Sequence, residues 1–265
     1  MKKCLVNFCL IGIVLVSIIS FSSTQAKAAI EPGNEIKFNI KSELFSESDI
    51  SKVFQAIKKD EVKVYFFDTP NKDFLKEDYI HRLRVYKGSN KMDITYKKRF
   101  LNTPLDEAIA ITESHGFTGA ESNYKFEMDI KGDNRTFTIS RKESLKNTSK
   151  VSYDDVDTNA AQKLILENVP KKILNWDSEA WYKNTLSQAV VYGPAKATTY
   201  IGSFAGYEAD IEIWQYQGEI MVELSTKEED ALKAAVIEKE WHDRLETAGY
   251  LSDDQRGKTA FVMDK

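Results

Sequence analysis

Between Tyr65 and Arg99 the chain reads as two adjacent segments in which charged and apolar residues alternate with a period of two. Side chains at i and i+2 share one face of a strand, so Arg82 and Arg84 emerge together. On the second segment Asp93, Thr95, Lys97 and Arg99 do the same. The Gly88-Ser89-Asn90 turn between them makes the two strands neighbours. Several cations then converge on one surface. Alternating charge can mark a solvated face. In a chain with a formal net charge of −4, it also suggests a confined site for a polyanion.

The ends of the chain narrow the setting. Lys2 and Lys3 precede an apolar run from Leu5 to Phe21, and Ala26-Lys27-Ala28 offers a small-x-small cleavage site. This reads as a secretory signal peptide over residues 1–28, leaving 29–265 as a single domain outside the cytoplasm, secreted or extracytoplasmic. Both cysteines, Cys4 and Cys9, fall in the signal, so the remaining chain has no disulfide and no Cys-based metal site. Lys2, Lys3 and Lys27 leave with it and no acid does, making the chain still more acidic. General nucleic-acid binding needs a broad basic surface and is not expected, and nothing after the signal reads as membrane-bound. The sequence leaves the oligomeric state open.

Further strands are expected at Glu35–Lys41, Glu61–Phe67, Tyr124–Lys131, Arg135–Lys142, Ala197–Ser203, Glu208–Tyr216 and Glu219–Ser225. Helices are expected over Ser46–Lys58, from Thr103 to His115, over Thr158–Val169 and Asp177–Ala189, and from Lys227 to Gly249. The tail from Ser252 is expected to be loose. The sum is an α+β chain with an antiparallel eight-stranded β-barrel and helices packed outside, closure removing the sheet edges. A barrel for an apolar ligand would carry apolar residues inside, whereas one face of nearly every strand here is charged.

The order of these segments resembles the CYTH family, also called triphosphate tunnel metalloenzymes. Phe66-Phe67-Asp68-Thr69-Pro70 closes one strand, Arg82-x-Arg84 follows, and Thr95-x-Lys97 comes after the turn. Family members include triphosphatases acting on inorganic or thiamine triphosphate, and some adenylate cyclases. The resemblance covers roughly residues 33 to 250. It implies a tunnel in which Lys37, Arg82, Arg84, Lys97, Arg99, Arg141 and Lys196 hold a small anionic phosphate ligand. It also implies that Glu35, Asp210, Glu212 and Glu223 hold a divalent metal, Mg²⁺ or Mn²⁺. Oxygen ligands suit those ions, and guanidinium groups suit phosphate. The chain departs from the family at both ends of the acidic set. The Glu-x-Glu-x-Lys signature is met as Gly33-x-Glu35-x-Lys37, and the last strand keeps Glu223 but has Ser225 where a second Glu is usual.

Two functions follow from the resemblance. One is an exported protein that binds triphosphate- or polyphosphate-type anions and hydrolyses them with a divalent metal. The other is a non-catalytic binder of a phosphorylated or otherwise anionic ligand in the same barrel. The losses at Gly33 and Ser225 favour the second, since fewer carboxylates hold a metal less well.

Overall fold

The computed structural model describes residues 29–265, so the expected signal peptide lies outside the described residues. Nine strands run in chain order: β1 (Gly33–Ile40), β2 (Ile57–Asp68), β3 (Tyr79–Tyr86), β4 (Met92–Phe100), β5 (Lys125–Lys131), β6 (Asn134–Leu145), β7 (Val190–Phe204), β8 (Tyr207–Tyr216) and β9 (Glu219–Glu228). The helices are α1 (Glu47–Val53), α2 (Asp73–Lys76), α3 (Leu105–Ser114), α4 (Thr158–Glu167), α5 (Lys171–Leu174), α6 (Glu179–Ser187), α7 (Ala231–Thr247) and α8 (Lys258–Met263). No helix among the described residues is long and apolar enough to cross a membrane.

The strands close in the order β1-β5-β6-β4-β3-β2-β7-β8-β9, and β9 returns to pair with β1. The expected antiparallel eight-stranded barrel is thus corrected to a closed, mixed barrel of nine. The β1–β5 pair is parallel, with Glu35 opposite Asp129 and Lys37 opposite Lys131. β1 forms no hairpin with its successor: α1 intervenes, and β2 pairs with β3 and β7 instead.

The barrel is inverted relative to a simple sandwich core, with its apolar strand faces pointing outward. On β4, Ile94 and Tyr96 are fully buried under the helices, and the Tyr96 hydroxyl donates to the Ile165 carbonyl on α4 at 2.6 Å. This outer core continues over Leu83, Phe74, Ile165 and Tyr182, beneath α4, α5 and α6. A second outer core joins Ile36, Phe38, Ile211 and Leu224 to Ile237, Trp241 and Leu245 of α7. α1 is closed by a reciprocal Ser46–Asp49 capping box and buries Ile50 in the same cluster.

A third cluster sits inside the barrel. Val62, Val64 and Phe66 of β2, Ala195 and Ala197 of β7, Trp214 and Met221 enclose Phe261, Val262 and Met263. The tail expected to be loose therefore ends in α8, docked in the lumen. Each such side chain contributes about 1.5–3 kcal/mol on burial, enough to hold a short helix that would not form alone. Asn39, buried on the inner face of β1, secures the approach to α8. Its amide donates to the carbonyls of Asp254 and Arg256, each at 2.9 Å, and its backbone exchanges hydrogen bonds with the Gln255 side chain.

Candidate functional site: a charged barrel lumen

Register fixes which residues face inward, because directly paired residues lie on one side of a sheet. Arg82 is opposite Thr95 and Arg84 opposite Asp93. From β4 the same face continues through Lys97–Ser140 and Thr95–Lys142 to β6, and Lys125–Ser140 and Asp129–Thr136 carry it to β5. It passes to Glu35 and Lys37 on β1, then to Lys227, Ser225 and Glu223 on β9, and to Asp210 and Glu212 on β8.

The lumen has two electrostatic halves. In one, cations and carboxylates saturate each other. Lys37 lies 2.7 Å from Glu35 Oε2 and 2.9 Å from Asp129 Oδ1, while Lys97 reaches Asp129 Oδ2 at 2.8 Å. Lys131 binds Glu223 Oε2 and Asn39 Oδ1, both at 2.7 Å. Lys227 bonds Glu127 at the rim and lies 3.7 Å from Glu35 Oε1. Burial works against the Glu35 charge, but Lys37 and Lys227 prevail and hold its pKa down to about 2. Burial opposes ionisation of Asp129 as well, yet Lys97 and Lys37 keep its carboxyl well below the usual range.

The other half holds Arg82 and Arg84. Both guanidinium groups line the lumen half-buried, and the Nε of each has no hydrogen-bond partner. Arg82 makes one long contact, Nη2 to Thr95 Oγ1 at 3.4 Å. The Asp93 carboxylate accepts instead from the Tyr86 hydroxyl at 2.6 Å. Burial and the neighbouring Arg84 charge both lower the Arg82 pKa, to about 10, so the group stays cationic at neutral pH. A buried guanidinium without a full set of acceptors suits an anion, which offers them.

Glu212 and Glu223 stand opposite each other on β8 and β9. The Lys258 ammonium at the start of α8 lies between them, 2.8 Å from Glu212 Oε1 and 2.8 Å from Glu223 Oε1. The Trp214 indole donates to Glu212 Oε2 at 2.7 Å, and Lys131 occupies Glu223 Oε2. All four carboxylate oxygens are engaged. Burial raises the Glu212 pKa, but Lys258 and Arg84 together bring it to about 2. Glu223 is likewise held far below the usual carboxylate range, with Lys131 and Lys258 overcoming burial.

The residues expected from the sequence thus separate. Lys37, Arg82, Arg84, Lys97, Glu35, Glu212 and Glu223 reach the lumen. Arg99 sits on the same face near its end, 3.2 Å from Asp78 Oδ1. Asp210 is exposed at the rim. Two expected anion ligands are corrected. Arg141 pairs in register with Tyr96, so it points outward, over the Tyr124 ring and against Glu143. Lys196 is exposed on the outer face of β7, because its neighbours Ala195 and Ala197 are the buried inner residues. Lys131, Lys142, Lys227 and Lys258 were not singled out. The first three lie on strands whose inner parity could have revealed them. Lys258 carried one signal, the apolar Phe261-Val262-Met263 that follows it.

Gly33 stands where the resemblance calls for a carboxylate. A Cβ there would meet Glu229 Oε2 at 2.8 Å, so the strand end is already crowded by another acid. No group of three or more His, Cys, Asp or Glu side chains placed to hold a metal occurs among the described residues. With their oxygens bound to ammonium groups, Glu35, Glu212 and Glu223 do not fit a divalent cation in this arrangement.

The closed barrel is similar in fold to solved structures described as candidate adenylate cyclases. A structure from Hippeastrum, described as a candidate adenylyl cyclase with a dominant triphosphatase activity, superposes with a TM-score of 0.50 at 15% identity, covering 85% of this chain and 92% of that one. A Bacillus halodurans structure, described as a candidate adenylate cyclase, gives a TM-score of 0.51 at 14% identity, covering 88% of this chain and 97% of that one. At these identities the likeness is one of fold. No family model and no curated protein sequence matches the chain.

Proposed function

We propose that this chain is an exported tunnel protein that binds triphosphate- or polyphosphate-type anions in its barrel lumen. One observation carries the reading: Arg82 and Arg84 project from the inner face of β3 with unpartnered Nε groups, while the facing carboxylate, Asp93, accepts from Tyr86. A triphosphate carries about four negative charges and offers acceptors in the planar, paired geometry that guanidinium groups favour. Lys142, opposite Thr95 on the same face, adds a third cation. The triphosphatase described for the Hippeastrum protein of like fold supports a triphosphate as the ligand class. Residues 1–28 serve as the export signal in this reading.

Hydrolysis with Mg²⁺ or Mn²⁺ is the activity that would accompany binding if a metal displaced the lysines from Glu35, Glu212 and Glu223. The engaged oxygens of those carboxylates favour a second reading, binding without turnover. Calorimetry with sodium tripolyphosphate tests the binding, and phosphate release with either ion tests the turnover. Saturable binding lost in an Arg82→Ala, Arg84→Ala double variant is expected. Equal affinity of wild type and double variant would remove the lumen as the site.

A further inference from the structure

The acidic pair on β8 and β9 holds a cation, and that cation belongs to the chain itself. We infer that Lys258 is the resident cation of the tunnel, taking the place between Glu212 and Glu223 that a divalent metal would need and making anion binding at this site independent of metal. This rests on the lumen being the anion site, but the exclusion of metal does not.

Three observations converge. The first is saturation. Glu212 and Glu223 present four oxygens, two taken by Lys258, one by Trp214 and one by Lys131. A divalent ion would have to break ion pairs at two carboxylates set inside the barrel, with side chains 16% (Glu212) and 3% (Glu223) exposed.

The second is charge. Lys131 and Lys258 bring two positive charges to two carboxylates, the same balance that one divalent ion would give. A metal added on top would be left beside two ammonium groups in an enclosed space of low dielectric, where like charges repel strongly.

The third is delivery. Lys258 is not a mobile surface lysine that happens to reach an acid. It begins α8, whose Phe261, Val262 and Met263 are buried within the barrel. The preceding segment is tied to Asn39 by hydrogen bonds to Asp254, Gln255 and Arg256. Lys72–Asp264 at 2.9 Å and an ion pair between Lys265 and Glu219 fasten the end that follows. An ammonium has three N–H donors. Two serve Glu212 and Glu223, and the ammonium also lies over the Trp214 ring, 5.7 Å from its centroid.

The test is Mn²⁺ binding to the purified protein without any phosphate, followed by the loss of the free-ion EPR signal. Wild type is expected to show no saturable site at micromolar Mn²⁺. Lys258→Met is expected to gain one Mn²⁺ per chain, at least tenfold tighter, and to lose it again when Glu212→Gln is added. Lys258→Arg, which keeps the charge, is expected to behave as wild type. One tight Mn²⁺ per wild-type chain would overturn the inference whether or not the variants fold. So would a Lys258→Met protein with a native unfolding transition and no gain in Mn²⁺ binding. Because these assays contain no phosphate, they stand even if the lumen proves not to bind triphosphate. Tripolyphosphate calorimetry with EDTA or with Mg²⁺ completes the test: equal affinity in the two is expected, and an affinity that requires Mg²⁺ would overturn metal independence.

Discussion

Arg84 and Asp93 are paired in register across β3 and β4, yet the Asp93 carboxylate accepts from Tyr86 and Arg84 Nε is left unpartnered. The acid moderates the field of the two arginines without consuming their donors. In the proposed reading, the capacity to hold an anion is set by where hydrogen bonds go, and counting charges of each sign would miss it.

Replacing either arginine should show this directly. Hydrogen bonds between charged groups contribute about 1.5–3 kcal/mol each. Arg82→Ala and Arg84→Ala are each expected to weaken tripolyphosphate binding roughly 10- to 100-fold by calorimetry. Arg84→Lys should recover only part of the loss, since an ammonium cannot make the bidentate contact.

Arg141 and Lys196 provide the opposite outcome. Both lie outside the barrel, so Arg141→Ala and Lys196→Ala are expected to change tripolyphosphate affinity less than about twofold, long-range surface charge being screened by salt. A larger loss for either at physiological salt would mean that the anion binds on the outer surface.

Acid should loosen the lumen. Glu212 has a folded-state pKa of about 2, below its ordinary 4.5. A carboxylate lowered on folding stabilises the folded state fully above its unfolded pKa, and that contribution disappears as the pH falls through the folded value. Stability is expected to decline from about pH 4.5 towards pH 2, with Glu35 contributing in the same window. Glu212→Gln should lower stability at neutral pH by roughly 1.5–3 kcal/mol and flatten this acid slope. Urea midpoints at pH 6, 4 and 3 would measure both effects.

Phe261 is fully buried in the inner cluster. Phe261→Ala is expected to cost roughly 3–5 kcal/mol of α8 docking. The release should be local, read as faster amide exchange over residues 258–263 while β3 and β4 stay protected.

Much of this lumen could be read from alternation alone. Arg82, Arg84 and Lys97 face inward as their spacing requires, and Glu35 and Lys37 follow on β1. Period two says which residues travel together, but not which face is the inner one. That depends on the partner strand, and Tyr96 settles it for Arg141 by burying its ring beneath α4. Lys196 fails for the same reason, its face fixed by two buried alanines. The ninth strand and the parallel β1–β5 pair depend on contacts between distant segments. The role of Lys258 does too: six residues near the chain's end carry too weak a periodicity to announce a helix, and only the apolar wall of β2 and β7 makes them one.

The β1 strand is satisfied on both sides only when Glu35 has met Asp129 on β5 and Lys227 on β9. Until then its amide groups form two open rows, a template for pairing with other chains. Closures over such sequence distances are slow. The first strand of the barrel is thus completed only when β9, the last, is in place. Refolding yield is therefore expected to be limited by how long β1 stays open rather than by the stability of the finished barrel.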